Sequence, residues 1–151
     1  MSTRKAGRSG RPSQGIVARR WSGFSIVDVH RVTPSDAPEI HEEALSYGGR
    51  PGIVNLSLIE SAIGRPYHGY YEGLAEMAAA LLESMVKNHG FADGNKRTAW
   101  LLTEMMIRRS GHGLDIPTDE PVDDLVVAVA EGSVGFDGAS TWFASRLVKV
   151  R

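Results

Sequence analysis

Two stretches of fifteen residues, 74–88 and 96–110, contain no glycine or proline and repeat apolar residues at intervals of three and four. Leu74, Met77, Ala78, Leu81, Leu82 and Met85 give the first a broad apolar face, and Leu101, Leu102, Met105 and Met106 line the second. Only seven residues separate the two. The chain is thereby committed to a pair of packed helices with a short loop between them, and whatever that loop carries is held on a rigid frame.

The flanking sequence extends the same class. Thr33-Pro34-Ser35-Asp36 predicts a helix start, with Thr33 as cap, and Ile40, Ala44 and Leu45 form its apolar stripe before Gly48-Gly49. A loop over Arg50 to Asn55 precedes a second capping box, Ser57 to Glu60, and a short helix ending by Gly64 and Pro66. Pro121–Glu131 predicts a fifth helix and Ser140–Val150 a sixth, the latter capped by Ser140 with Trp142, Phe143 and Leu147 inward. Phe24 to Val32 reads as a short strand or an extended lead-in. There are no internal repeats, and the expected fold class is all-α.

At 151 residues the length suits one domain. Residues 1–20 hold six of the seventeen cations and none of the eighteen acids, so a basic tail precedes an acidic domain over 21–151. The tail is rich in Gly, Ser and Arg, has no periodicity and is expected to be disordered. It is the only segment charged to meet nucleic acid. Arg19-Arg20 lacks the apolar run of a twin-arginine signal, no stretch approaches a membrane span, and a cytoplasmic protein without membrane contact is expected. The absence of cysteine excludes disulfides, thiolate metal sites and a cysteine nucleophile.

Chemistry concentrates in the loop. Residues 89–97 read His-Gly-Phe-Ala-Asp-Gly-Asn-Lys-Arg. The turn Asp93-Gly94-Asn95 runs into a helix start, where unpaired N–H groups and the helix dipole favour an anion. Lys96 and Arg97 oppose that dipole, so local stability does not explain them, whereas a bound phosphate does. Asp93, an acid beside a phosphate site, suits Mg²⁺. His89, at the other end, suits a base that accepts a proton from an attacking hydroxyl, because a histidine ordinarily titrates at about 6.5. Phe91 is expected to pin the loop into the core.

This stretch resembles the signature of the Fic/Doc family, His-x-Phe-x-(Asp/Glu)-(Gly/Ala)-Asn-(Gly/Lys)-Arg, and continues as Thr98-Ala99, as in the Doc branch. Ile40-His41, Tyr47-Gly48-Gly49, Gly52 and Leu58-Ile59-Glu60-Ser61-Ala62 resemble the family's upstream pattern, and Arg109-Ser110-Gly111 its motif-helix end. The likeness spans about residues 30–150. It implies a compact helical bundle with the signature loop between two central helices. It also implies transfer from ATP, with Mg²⁺, to a protein hydroxyl. His89 would be the base, Asp93 would position the metal, and Gly94, Asn95, Lys96 and Arg97 would form the nucleotide site.

Within the family, adenylylating members carry glycine where this chain has Lys96, and many have a second arginine where it has Trp100. Lysine there obstructs the adenylylating pose and offers a point charge to a terminal phosphate. Both features favour the Doc branch, which implies a toxin that phosphorylates elongation factor Tu, although Gly94 follows the adenylylating branch. AMP transfer and a catalytically dead binding module are the alternatives. The inhibitory motif of many members, Ser or Thr four residues before Glu-Gly, is missing: His68 and Val127 precede Glu72 and Glu131. The resemblance therefore implies a separate antitoxin. Residues 47–56 are the expected flap that aligns the target peptide. His41 is expected to be a buried helix histidine, and His30, His68 and His112 suggest no metal site. Arg65 is expected at the surface, and Tyr67, Tyr70 and Tyr71 are open between base stacking and packing. No P-loop motif occurs.

Overall fold

The structure, a computed structural model, describes residues 31–150. The basic tail, His30 and all but the last two residues of the expected lead-in at Phe24–Val32 lie outside the described residues.

The frame is built on helix α3 (Leu74–Asn88), whose bounds match the apolar repeat. The repeat predicts one apolar face, yet the helix is enclosed on all sides: Met77 is 1% exposed and every residue from Ala78 to Leu82 is 0% exposed. Three successive alanines leave no bulky flank, so neighbours approach from every direction. Around α3 pack α2 (Leu56–Gly64), one turn of 3-10 helix at Arg65–Tyr67, α4 (Asn95–Arg109), α5 (Val122–Glu131) and α6 (Phe136–Arg146). Helix α1 (Asp36–Leu45) lies against α4. Full burial of each large apolar side chain, such as Ile63, Leu81, Leu102 or Phe143, contributes about 1.5–3 kcal/mol. The described residues are thus all-α in class, with one small sheet.

Three helix starts differ from the sequence expectation, each for a local reason. At α1 the Asp36 carboxylate reaches back to accept the Thr33 N–H at 2.8 Å, so Thr33 is turned into the preceding turn and Ser35 becomes the N-cap residue. At α2 the cap is Asn55, whose Oδ1 accepts the Leu58 N–H at 3.1 Å, and not Ser57. Helix α6 begins at Phe136, and Ser140 sits inside it with a buried hydroxyl that has no partner among the described residues. The helix expected up to Val150 instead gives way to strand β2 (Leu147–Lys149), which pairs antiparallel with β1 (His112–Leu114), Leu114 facing Leu147. Alternating β-branched Val148 and Val150 suit that extended end better than a helix.

A bidentate ion pair ties the start of α1 to the end of α4: Arg109 donates to both Asp36 carboxylate oxygens at 2.9 and 3.0 Å. Those bonds hold the Asp36 carboxyl below the usual carboxylate range. A depressed folded-state pKa adds stability above about pH 4, which is lost as pH falls through the folded value. Asp36→Asn is therefore expected to cost about 1–2 kcal/mol at neutral pH. Its melting temperature should also fall less steeply than that of the wild type on acidification below about pH 4. Parallel pH dependences in thermal denaturation would remove this pair from the acid response.

Candidate active site

The loop between α3 and α4 begins with a strained residue. His89 caps α3 at φ 51° and ψ 47°, and it is the only non-glycine residue with positive φ among the described residues. The chain turns at His89 itself, one residue before Gly90, with the histidine exposed. Glycine would hold this left-handed conformation at less conformational cost than histidine does.

The next residues fasten the loop down. Phe91 is 2% exposed, and its ring stacks on that of His41 at 3.8 Å between centroids. Asn95 closes the turn from the other side. Its Oδ1 accepts the Phe91 N–H at 3.1 Å and its Nδ2 donates to the Phe91 carbonyl at 2.9 Å. With its side chain engaged on both sides of Phe91, Asn95 keeps its backbone N–H and the second hydrogen of its side-chain amide to offer a ligand.

Gly94, at φ 75°, is the N-cap of α4, and no side chain caps that end. The first helical bond runs from the Thr98 N–H to the Gly94 carbonyl at 3.0 Å. The N–H groups before Thr98 have no helical acceptor, so they and the dipole form an anion cradle. Lys96 and Arg97 are exposed beside it, and neither makes an ion pair among the described residues.

Asp93 stands at the edge of this cradle. Its carboxylate accepts the Arg50 N–H at 3.1 Å and the Gly94 N–H at 2.9 Å, and these two donors, Arg50 first, hold it below the usual carboxylate range. Its carbonyl accepts the His41 Nε2–H at 2.8 Å. Among the described residues no three His, Asp or Glu side chains cluster as a metal cage. A single ionised carboxylate beside an anion cradle fits Mg²⁺, which keeps waters and takes phosphate oxygens as its other ligands.

Residues 50–55 run antiparallel to the loop. Gly90 accepts the N–H groups of Val54 and Asn55 at 2.8 and 3.1 Å, Ala92 donates to Gly52 at 3.0 Å, and Ile53 faces Phe91. Gly49, at φ 122°, is a position that a side chain would strain, and a Cβ there would crowd Asp93 Oδ2 at 3.2 Å and Leu45 at 3.1 Å. Arg50 also donates from its guanidinium to the Ala92 carbonyl at 3.3 Å. The Arg97 guanidinium sits 4.8 Å from the centre of the Tyr47 ring. Tyr47, Ile53, Val54 and Leu56 remain exposed, giving the mouth of the site an apolar border.

His89, Asp93, Gly94, Asn95, Lys96 and Arg97 therefore share one loop and helix end, as their spacing predicts. His41, expected as a buried helix histidine, joins them from α1, and Tyr47 and Arg50 join them from the expected flap over 47–56. Other candidates serve packing. The Tyr67 hydroxyl accepts the Val32 N–H, and Tyr71 accepts Arg65 Nε. Arg65 also pairs with Glu83 at 2.9 Å. Trp100 enters an aromatic cluster with Trp142 and Phe143.

The model of the Fic/DOC family matches residues 31–107. A protein of Mycolicibacterium smegmatis named toxin Doc is 32% identical over 107 residues, covering 67% of this chain and 82% of that protein. One of Escherichia phage P1 named protein kinase doc is 31% identical over 111 residues, covering 70% of this chain and 86% of that protein. No helix among the described residues is long and apolar enough to cross a membrane.

Proposed function

The chain belongs to the Fic/Doc family, and on that premise we propose that it is a Doc-like toxin of a toxin–antitoxin system. It transfers the terminal phosphate of ATP to a hydroxyl of a cytoplasmic translation factor resembling elongation factor Tu, and so blocks translation. The observation that carries the choice of phosphate over AMP is Lys96, an exposed cation in the first turn of α4, without an ion pair among the described residues and beside the open N–H groups. Trp100 supports it, because a side chain packed against Trp142 and Phe143 offers no charge for a further phosphate contact.

In this reading the N–H groups at the start of α4, with Lys96 and Arg97, hold the phosphates, and Gly94 lets them approach the backbone. Asp93 is the carboxylate that would hold Mg²⁺. When bound, that ion neutralises phosphate charge and fixes the phosphate oxygens. His89 takes the proton of the target hydroxyl as its oxygen bonds to the γ-phosphorus. The bond from that phosphorus to the bridging oxygen breaks, and ADP leaves. Positioning and charge neutralisation supply most of the acceleration. The segment 47–56 lies along the loop as a flap, and its exposed apolar residues border the path of a target peptide. Without an inhibitory motif of its own, the protein is restrained by a separate antitoxin that folds on binding.

The test is a mass spectrum of elongation factor Tu after incubation with the protein, ATP and Mg²⁺. A gain of about 80 Da is expected, whereas one of about 330 Da would mean adenylylation and overturn the reading of Lys96. No change in mass would remove this factor as the target.

A further inference from the structure

We infer that His41 is a positioning residue for the signature loop, its Nε2–H bond to the Asp93 carbonyl fixing the turn that presents the Asp93 carboxylate and opens the start of α4. Its kinetic readout rests on the transfer reaction proposed above. His41 belongs to α1, a different helix from the two that flank the loop, and is 5% exposed. A carbonyl oxygen only accepts, so the ring nitrogen 2.8 Å away carries the hydrogen.

The same ring makes two further contacts with the loop. One face stacks on Phe91 at 3.8 Å and 12°. Its Nε2 and Cδ2 face the bare α-carbon of Gly94, where a Cβ would lie 3.6 and 3.7 Å from them. One side chain thus touches the anchor of the loop and the carbonyl of Asp93, and borders the N-cap of α4. Helix α1 is itself clamped by Asp36 to Arg109 at the far end of α4, so the ring is presented from a fixed support. An apolar residue would fill the space, but only a flat side chain with a donor at its tip meets all three contacts.

The experiment compares His41→Leu, which keeps the volume and loses the donor, with His41→Gln, which restores an N–H and a flat face at similar reach. Transfer kinetics are measured beside melting temperature and calorimetric binding of ATP with Mg²⁺. For His41→Leu, kcat is expected to fall about 10- to 100-fold, as displacement of a site by about an ångström does. Binding of ATP with Mg²⁺ should weaken several-fold, and His41→Gln should recover most of both losses. If His41→Leu does not fold, His41→Asn takes its place, its amide too short to reach the Asp93 carbonyl. A folded Leu or Asn variant with wild-type kcat and binding would overturn the inference. So would a folded Gln variant as impaired as the Leu variant. A wild-type protein that binds ATP with Mg²⁺ but modifies no target would count against the proposed reaction, and the binding comparison would still decide the role of His41.

Discussion

Replacing His89 with glycine is expected to reduce transfer by about 10²–10⁴-fold while leaving the protein at least as stable as before. The two effects separate because the residue is exposed and sits at φ 51°, ψ 47°. An L-residue in the left-handed region costs about 1–2 kcal/mol, which glycine avoids. Glycine's greater freedom in the unfolded chain offsets about 0.5–1 kcal/mol of that gain. A melting temperature equal to or slightly above that of the wild type should result. His89→Ala should lose the same activity without the relief, since alanine keeps a Cβ in the strained conformation. If glycine serves the fold at this position as well as histidine does, the proposed role of His89 rests on its ring and not on the backbone it shapes. A glycine variant within ten-fold of wild-type turnover would remove His89 from proton transfer. An unfolded one would mean that the strain has been misjudged.

The same assignment fixes a pH dependence. A base accepts a proton only when its ring is neutral, so the rate should fall as the solution is acidified. Asp93 does not produce that limb, because its two N–H donors keep it ionised to lower pH than an ordinary carboxylate. The limb should be absent from the residual activity of His89→Ala. A wild-type profile flat from about pH 5 to 8 would contradict the base role.

What could be seen in the sequence was what is local. The bounds of α3 and the turn 93–95 follow from apolar spacing, glycine placement and helix-end chemistry within a few residues. The chain class followed from the same signals. The contacts that shape the site are long-range. His41 meets Asp93 across 52 positions, Arg50 meets Asp93 across 43, and Arg109 meets Asp36 across 73. None leaves a periodic trace. The pairing of Ile53 with Phe91 and of β1 with β2 was invisible for the same reason. Even local capping was misread where two candidates competed. At α2, Asn55 and Ser57 both suit an N-cap, and the bonds of Val54 and Asn55 to Gly90 favour Asn55 by anchoring the chain just before the helix.

Phe91→Ala should produce the largest loss of stability among single changes near the site, about 3–5 kcal/mol. That is a large share of the 5–15 kcal/mol by which a domain of this kind is stable. The ring is 2% exposed, so its removal leaves a cavity against the His41 face on which it stacks. The backbone of Phe91 is bonded to Asn95 and paired with Ile53, which limits the collapse that would fill the space. Phe143, 0% exposed and packed against Trp100 and Trp142, offers a control of the same chemistry away from the loop. Phe143→Ala should cost a similar amount in denaturant unfolding. At a temperature where both variants are folded, only Phe91→Ala should also lose turnover, because only Phe91 holds the segment that presents His89 and Asp93. Equal turnover per folded molecule in the two variants would make Phe91 a core residue and nothing more. Loss in Phe91→Ala alone would show that the loop derives its geometry from the core beneath it.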